Sequence, residues 1–282
     1  MKVQTIRTGY LKLDGGAMFG VVPKSMWASL NPPDDENMCT WCMRVLLIQS
    51  GQRVILIDTG VGEKQDDRFR SFFHPAQQDL FLTELSLAGI QPEDVTDVLL
   101  THLHFDHTGG AIVLDDDGHP RPLFPNATYW SSQRHWDWAM KPNAREKASF
   151  LTENFLPLQE WGMIQWADIG PMADWLPGIQ LEAVYGHTEA MFVPVIHTDQ
   201  RPIVYCADLI PSFHHIGLPY VMAYDVRPLD TIREKDRILT WALEHDAILV
   251  FEHDPLIEAC TLTRDQRGRI VPQQNGRLTD LQ

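Results

Sequence analysis

The run His102-Leu103-His104-Phe105-Asp106-His107 places three imidazoles and a carboxylate within six residues. In extended backbone, residues i and i+2 project to the same side, so His102 and His104 can turn two ring nitrogens towards one cation. Asp106 and His107 follow at the turn and can face a second cation, with a donor set that suits zinc, manganese, iron or cobalt. One loop cannot fill the coordination of two ions, so further donors must come from elsewhere. Three candidates are His187 in Tyr185-Gly186-His187-Thr188, Asp208 after Ile203-Val204-Tyr205-Cys206-Ala207, and His253 after Ile248-Leu249-Val250-Phe251-Glu252.

Each donor follows an apolar run of strand length, where a sheet presents its loops to an edge. Residues 44–50 and 53–58 read as two strands joined by Gly51-Gln52, both so apolar that both faces must be buried. Further strands are expected at 95–101, 127–131, 179–185, 192–197, 203–207 and 248–252, and helices at 77–88, 133–140, 145–155 and 229–245. This mixture predicts an α/β domain with helices packed outside two stacked sheets. No internal repeat or low-complexity linker divides the chain, so one domain over 1–282 is expected. Residues 17–43 differ, with Met18, Phe19, Trp27, Leu30 and Trp41 spread without period among Gly, Pro and acidic residues. They read as a long ordered loop near the site, of a length often given to function.

Composition narrows the partners. A formal charge of −15 argues against a nucleic-acid partner, whose phosphates call for clustered Lys and Arg. No apolar run reaches membrane-spanning length and no secretory leader is evident at the start, so the expectation is a cytoplasmic protein without a membrane partner, acting on a small molecule. The four cysteines, Cys39, Cys42, Cys206 and Cys260, are too scattered for a disulfide framework. Cys39 and Cys42 form a C-x-x-C without the second pair a structural zinc needs, and read as buried thiols.

The order of donors resembles the metallo-β-lactamase superfamily, whose pattern is an H-x-H-x-D-H loop, a Gly-His-Thr, a strand-ending Asp and a strand-ending His. The likeness runs from Leu46 to His253 and includes Ile57-Asp58-Thr59-Gly60. It implies an αββα sandwich of two stacked mixed sheets, with one metal on His102, His104 and His187, another on Asp106, His107 and His253, and Asp208 bridging. Asp58 then stands where a carboxylate can orient a ligand imidazole through its ring N–H, or caps the Gly60 turn instead. Glyoxalase II-like chains carry the motif earlier, RNA-processing branches need basic surfaces, and flavo-diiron proteins normally have Glu where His104 stands.

Residues 14–23, with Tyr224-Asp225, resemble the group holding the N-acyl-homoserine lactonases and methyl-parathion-hydrolase-like enzymes. Two divalent ions, zinc foremost, lower the pKa of a bridging water towards neutrality, so hydrolysis is the reaction implied. Asp106 and Asp208 are the candidate proton carriers. Met18, Phe19 and Trp27, with Met222, can wall a pocket for an acyl or aryl group, and His214 and His215 can donate to a carbonyl or phosphoryl oxygen. Those residues can equally be core. Lactones or related carboxylic esters, including the quorum-quenching substrates N-acyl-homoserine lactones, are the first substrate class, and aryl phosphotriesters the second. A metal-binding interaction module without catalysis is the reading of another kind. The lactonase likeness also implies a homodimer. Two departures stand out: Pro211 occupies the place of a Tyr found in many such lactonases, and Glu189-Ala190 follows Gly-His-Thr where Pro-Gly is usual.

Overall fold

The computed structural model describes residues 1–282. The chain opens with β1 (Lys2–Asp14), the short helices α1 (Gly15–Phe19) and α2 (Lys24–Trp27), and the hairpin of β2 (Met38–Ser50) and β3 (Arg53–Ile57). Next come α3 (Asp67–Phe73), α4 (Leu80–Leu87), β4 (Asp97–Leu99), α5 (Phe105–Thr108), β5 (Ile112–Leu114), β6 (Pro120–Pro122), β7 (Thr128–Ser131), α6 (Gln133–Ala139), α7 (Leu156–Glu160) and β8 (Ile164–Trp166). The remainder holds β9 (Ala173–Leu176), β10 (Ile179–Val184), β11 (Met191–Ile196), β12 (Ile203–Tyr205), α8 (Pro228–Glu244), β13 (Ile248–Val250), β14 (Ala259–Arg264), β15 (Ile270–Gly276) and α9 (Leu278–Leu281). Two compact units result, Met1–Leu11 with Met43–Asp168 and Lys12–Cys42 with Ile169–Gln282, a division that composition did not signal.

The first unit is built on a six-stranded sheet in the order β1-β2-β3-β4-β7-β8. β2 and β3 pair antiparallel, while β3, β4 and β7 run parallel, so the sheet is mixed. Its core gathers Val45, Leu47, Leu56, Val98, Leu100 and Tyr129 with Leu85 of α4 and Trp136 of α6. Because β3, β4 and β7 share one direction, their C-terminal ends open on one edge. Asp58, the segment from Thr101 onward and Ser132 all leave the sheet there.

The second unit carries a seven-stranded sheet in the order β15-β14-β13-β12-β11-β10-β9. β10, β11 and β12 alternate in direction and β12 runs parallel to β13, so β10, β12 and β13 all end on the same edge. His187, Asp208 and His253 follow those three strands. The crossover between β12 and β13 includes α8, which starts on Pro228 in the first turn and buries Thr231, Lys235, Ile238, Leu239 and Ala242, the spacing of one helical face.

Several expectations shift. β1 was not foreseen, because its apolar residues sit among Lys, Arg, Thr and Gly without clean alternation. Residues 17–43 hold the end of α1, all of α2 and the start of β2 rather than one continuous loop. The helix expected at 145–155 is instead a series of turns with a short helical turn at Thr152–Asn154. Asn143 accounts for this, since its side-chain oxygen takes the amides of Arg145 and Glu146 at 2.8 and 3.1 Å and competes with regular helix. No helix is long and apolar enough to cross a membrane.

Candidate metal centre

In the first unit the loop after β4 turns at His104 into the single turn of α5, which carries Asp106 and His107. His102 Nε2 lies 3.1 Å from His104 Nδ1, so the two rings converge through different nitrogens. His107 Nε2 is 3.9 Å from Asp106 Oδ1. All four residues are at most 8% exposed.

The other nitrogen of each ring faces a protein group. His102 Nδ1 meets the Thr101 hydroxyl at 3.1 Å, His107 Nδ1 meets Asp58 Oδ2 at 3.1 Å, and His104 Nε2 faces Glu146 Oε1 at 3.6 Å. Asp58 also accepts the Thr101 amide and hydroxyl, each at 2.7 Å, so one carboxylate braces both the start and the end of the loop. Between the first two histidines, the amide of Leu103 donates to Nε2 of the buried His135 at 2.8 Å. Gly109 follows the motif where a Cβ would come within 2.0 Å of the Val61 carbonyl oxygen, so only glycine lets the loop lie so close.

Within the second unit, the other three candidate donors lie together. Asp208 divides its carboxylate, with Oδ2 3.1 Å from His187 Nε2 and Oδ1 3.0 Å from His253 Nε2. His187 Nδ1 is held by Asp225 Oδ1 at 2.8 Å, and Asp225 is itself held by the Thr231 hydroxyl at 2.8 Å. His253 Nδ1 donates to the Cys42 carbonyl at 2.9 Å, and its amide donates to the carbonyl of Pro211 at 2.9 Å. Burial disfavours charge on His187, but Asp208 and Asp225 override it and push its pKa up to about 10, marking a place that stabilises positive charge.

These donors fit divalent metal ions. Buried imidazole nitrogens and carboxylate oxygens converge within each unit, and every candidate ligand histidine has its other nitrogen facing an orienting group, as metal-binding histidines generally do. Backbone strain collects beside them: Asp58, Ala190 and Ala207 have φ of 65°, 53° and 43°.

Met18, Phe19 and Trp27 are 1%, 0% and 1% exposed, and Phe19 stacks between Trp27 at 5.2 Å and His215 at 4.9 Å. His215 meets the Ser212 hydroxyl through Nδ1 at 2.7 Å and the Met18 carbonyl through Nε2 at 2.9 Å. Burial pulls its pKa down to about 3. His214 is only part-buried, and burial lowers its pKa as well. All four cysteines are buried, and none forms a disulfide.

Glu146, His135 and Thr231 were missed in the sequence because each is a single polar residue far along the chain from the histidine loop or turn it serves. The one available signal was His135, a polar side chain on an otherwise apolar helix face.

The chain matches the family model of the metallo-beta-lactamase superfamily over residues 44–253. It is 26% identical over 192 residues to an N-acyl homoserine lactonase of Bacillus cereus, a match covering 64% of this chain and 67% of the relative. A probable metal-dependent hydrolase from Staphylococcus aureus superposes with a TM-score of 0.84 at 27% identity, covering 97% of each chain. AidC, a dizinc quorum-quenching lactonase solved with a product, superposes at a TM-score of 0.76 and 17% identity over 98% of this chain and 95% of its own, a likeness of fold alone. The mixed sheets with their helices are the α/β fold of these proteins, and this chain belongs to the metallo-beta-lactamase superfamily.

Proposed function

We propose that the protein is a dinuclear metal-dependent hydrolase of lactones or related carboxylic esters. His102, His104 and His187 hold one divalent ion, zinc in the first instance, and Asp106, His107 and His253 hold the other, with Asp208 shared. The observation that carries this reading is the Asp208 carboxylate, which offers one oxygen to His187 and the other to His253. When bound, such ions activate water near neutral pH and polarise the bond under attack. Around them the chain's residues hold the imidazole rings in one orientation, and Asp106 and Asp208 are the carboxylates placed to pass a proton to the leaving group. His214 is the imidazole available to a substrate oxygen, while His215, backed by Met18, Phe19 and Trp27, holds the wall behind it.

The substrate preference rests on the first unit. A cavity of about 730 Å³ is lined by Phe69, Phe72, Phe73, Ile112, Leu114 and Leu151, among others, and suits an apolar chain. Phe69 and Phe73 also meet Phe105, between His104 and Asp106, at 4.9 and 4.6 Å between ring centroids. An acyl group lodged beside these rings would thus lie near the metal loop.

Kinetics on an acyl-homoserine lactone series and an aryl phosphotriester, with metal content measured on the same preparation, test the reading. Turnover of lactones rising with chain length and lost on chelation is expected. Metal-loaded protein that turns over only the phosphotriester moves the substrate class, and a preparation without metal returns the protein to a non-catalytic module.

A further inference from the structure

The turn from Tyr185 to Ala190 carries His187 and packs against the start of α8. Glu189 and Ala190 follow Thr188, and Ala190 is held at a φ of 53°, where an L side chain is unfavourable. The restraint comes from the other side of the turn, at the start of α8. Glu234 accepts the amides of Tyr185 and Gly186 at 2.8 and 2.9 Å. The backbone amides of Val226 and Arg227 donate to the carbonyls of His187 and Gly186 at 3.1 and 2.9 Å. A Cβ on Gly186 would come within 2.3 Å of the Thr231 hydroxyl, so turn and helix lie in direct contact.

Arg227 closes this arrangement. Its Nη1 donates to the Tyr185 carbonyl at 2.7 Å, and its Nη2 to Glu189 Oε2 at 2.6 Å. It therefore grips the turn on both sides of His187. The Glu189 side chain is only 8% exposed and the Arg227 side chain 34%. A carboxylate so buried is stabilised by its cation, and losing Arg227 removes that compensation. The planar guanidinium spans the two acceptors through separate nitrogens in a fixed geometry, whereas a lysine ammonium offers all its donors from one nitrogen.

We propose that Arg227 is a positioning residue for His187, fixing the turn so that Asp225 can hold Nδ1 and leave Nε2 directed at Asp208. This rests on the reading of His187 as a metal ligand. Without Arg227 the Glu189 carboxylate turns towards water, the strained Ala190 relaxes, and the imidazole loses its alignment.

Two readouts test this on the purified full chain with its metal: the rate at which 4-(2-pyridylazo)resorcinol withdraws the metal, and the low-field proton resonance of His187 Nδ1–H. Arg227→Met is expected to release metal roughly 10-fold faster and to shift or broaden that resonance. Arg227→Met/Glu189→Gln, which removes the charge that Arg227 compensates but does not restore the grip on Tyr185, is expected to release metal as fast as Arg227→Met. Recovery of slow release in the double variant would assign the effect to the Glu189 charge and overturn the positioning role. Arg227→Lys, which keeps the charge, serves if Arg227→Met does not fold, and is expected to release metal faster than wild type. Wild-type release and an unshifted resonance in folded Arg227→Met or Arg227→Lys would overturn the proposal. His187→Ala separates the two levels: if it leaves metal release unchanged, the ligand assignment fails rather than the role of Arg227.

Discussion

Asp58 Oδ2 lies 3.1 Å from His107 Nδ1, while the same carboxylate takes the amide and hydroxyl of Thr101 at 2.7 Å each. That one contact fixes which nitrogen of His107 is left for a metal. Asp58→Ala is expected to weaken metal retention roughly 10- to 100-fold, read as metal content after dialysis against a graded chelator. Unchanged content would reduce Asp58 to a cap on its turn.

The approach of Gly109 to Val61 allows a sharper test of the loop. A Cβ there would sit 2.0 Å from a backbone oxygen, which cannot swing away as a side chain could. Gly109→Ala is therefore expected to destabilise the fold by ~1–3 kcal/mol in urea titrations and to lower metal retention with it. Wild-type stability would mean that the loop relaxes freely.

His215 sets a pH dependence. Burial lowers its pKa from 6.5 to about 3, so between those values the unfolded chain binds the proton and the folded chain does not. Its contribution to stability is complete above pH 6.5 and falls away as the pH drops towards 3. His215→Phe is expected to flatten the urea midpoint against pH in that window relative to wild type, while lowering the midpoint at neutral pH through loss of the bonds to Ser212 and Met18. Parallel curves for the two proteins would remove His215 as the source.

The cavity beside α3 predicts a selective change in binding. Leu151 lines it, and a larger side chain there takes space from a long chain before a short one. Leu151→Trp is expected to raise KM for a decanoyl lactone roughly tenfold over its effect on a butanoyl lactone, with kcat little changed, as for loss of uniform binding. Equal effects on both would place the acyl group elsewhere.

The apolar strand cores and the donors after them were legible because both are local signals. The run from His102 to His107 announces itself within six residues, and His187, Asp208 and His253 each end a hydrophobic stretch. Asp58 stood out only through the turn signature around it. Glu146 and Asp225 could not be read the same way, since each acts through a single contact fixed by tertiary structure. The turns at 143–150 show the limit of propensity, as one asparagine side chain redirected a segment whose composition favoured helix. Met18, Phe19 and Trp27 were visible as an apolar group, but the stacking of Phe19 between Trp27 and His215 was not.

The parallel pairing of β12 with β13 has a consequence for how the protein matures. Asp208 and His253 stand side by side only once the intervening chain, with the 17 residues of α8, has crossed over and brought the two strands into register. A nascent chain halted before β13 holds Asp208 without this partner. On the proposed assignment, capture of an ion by these donors would report completed topology and reward the long-range contact whose chain entropy is the hardest to recover.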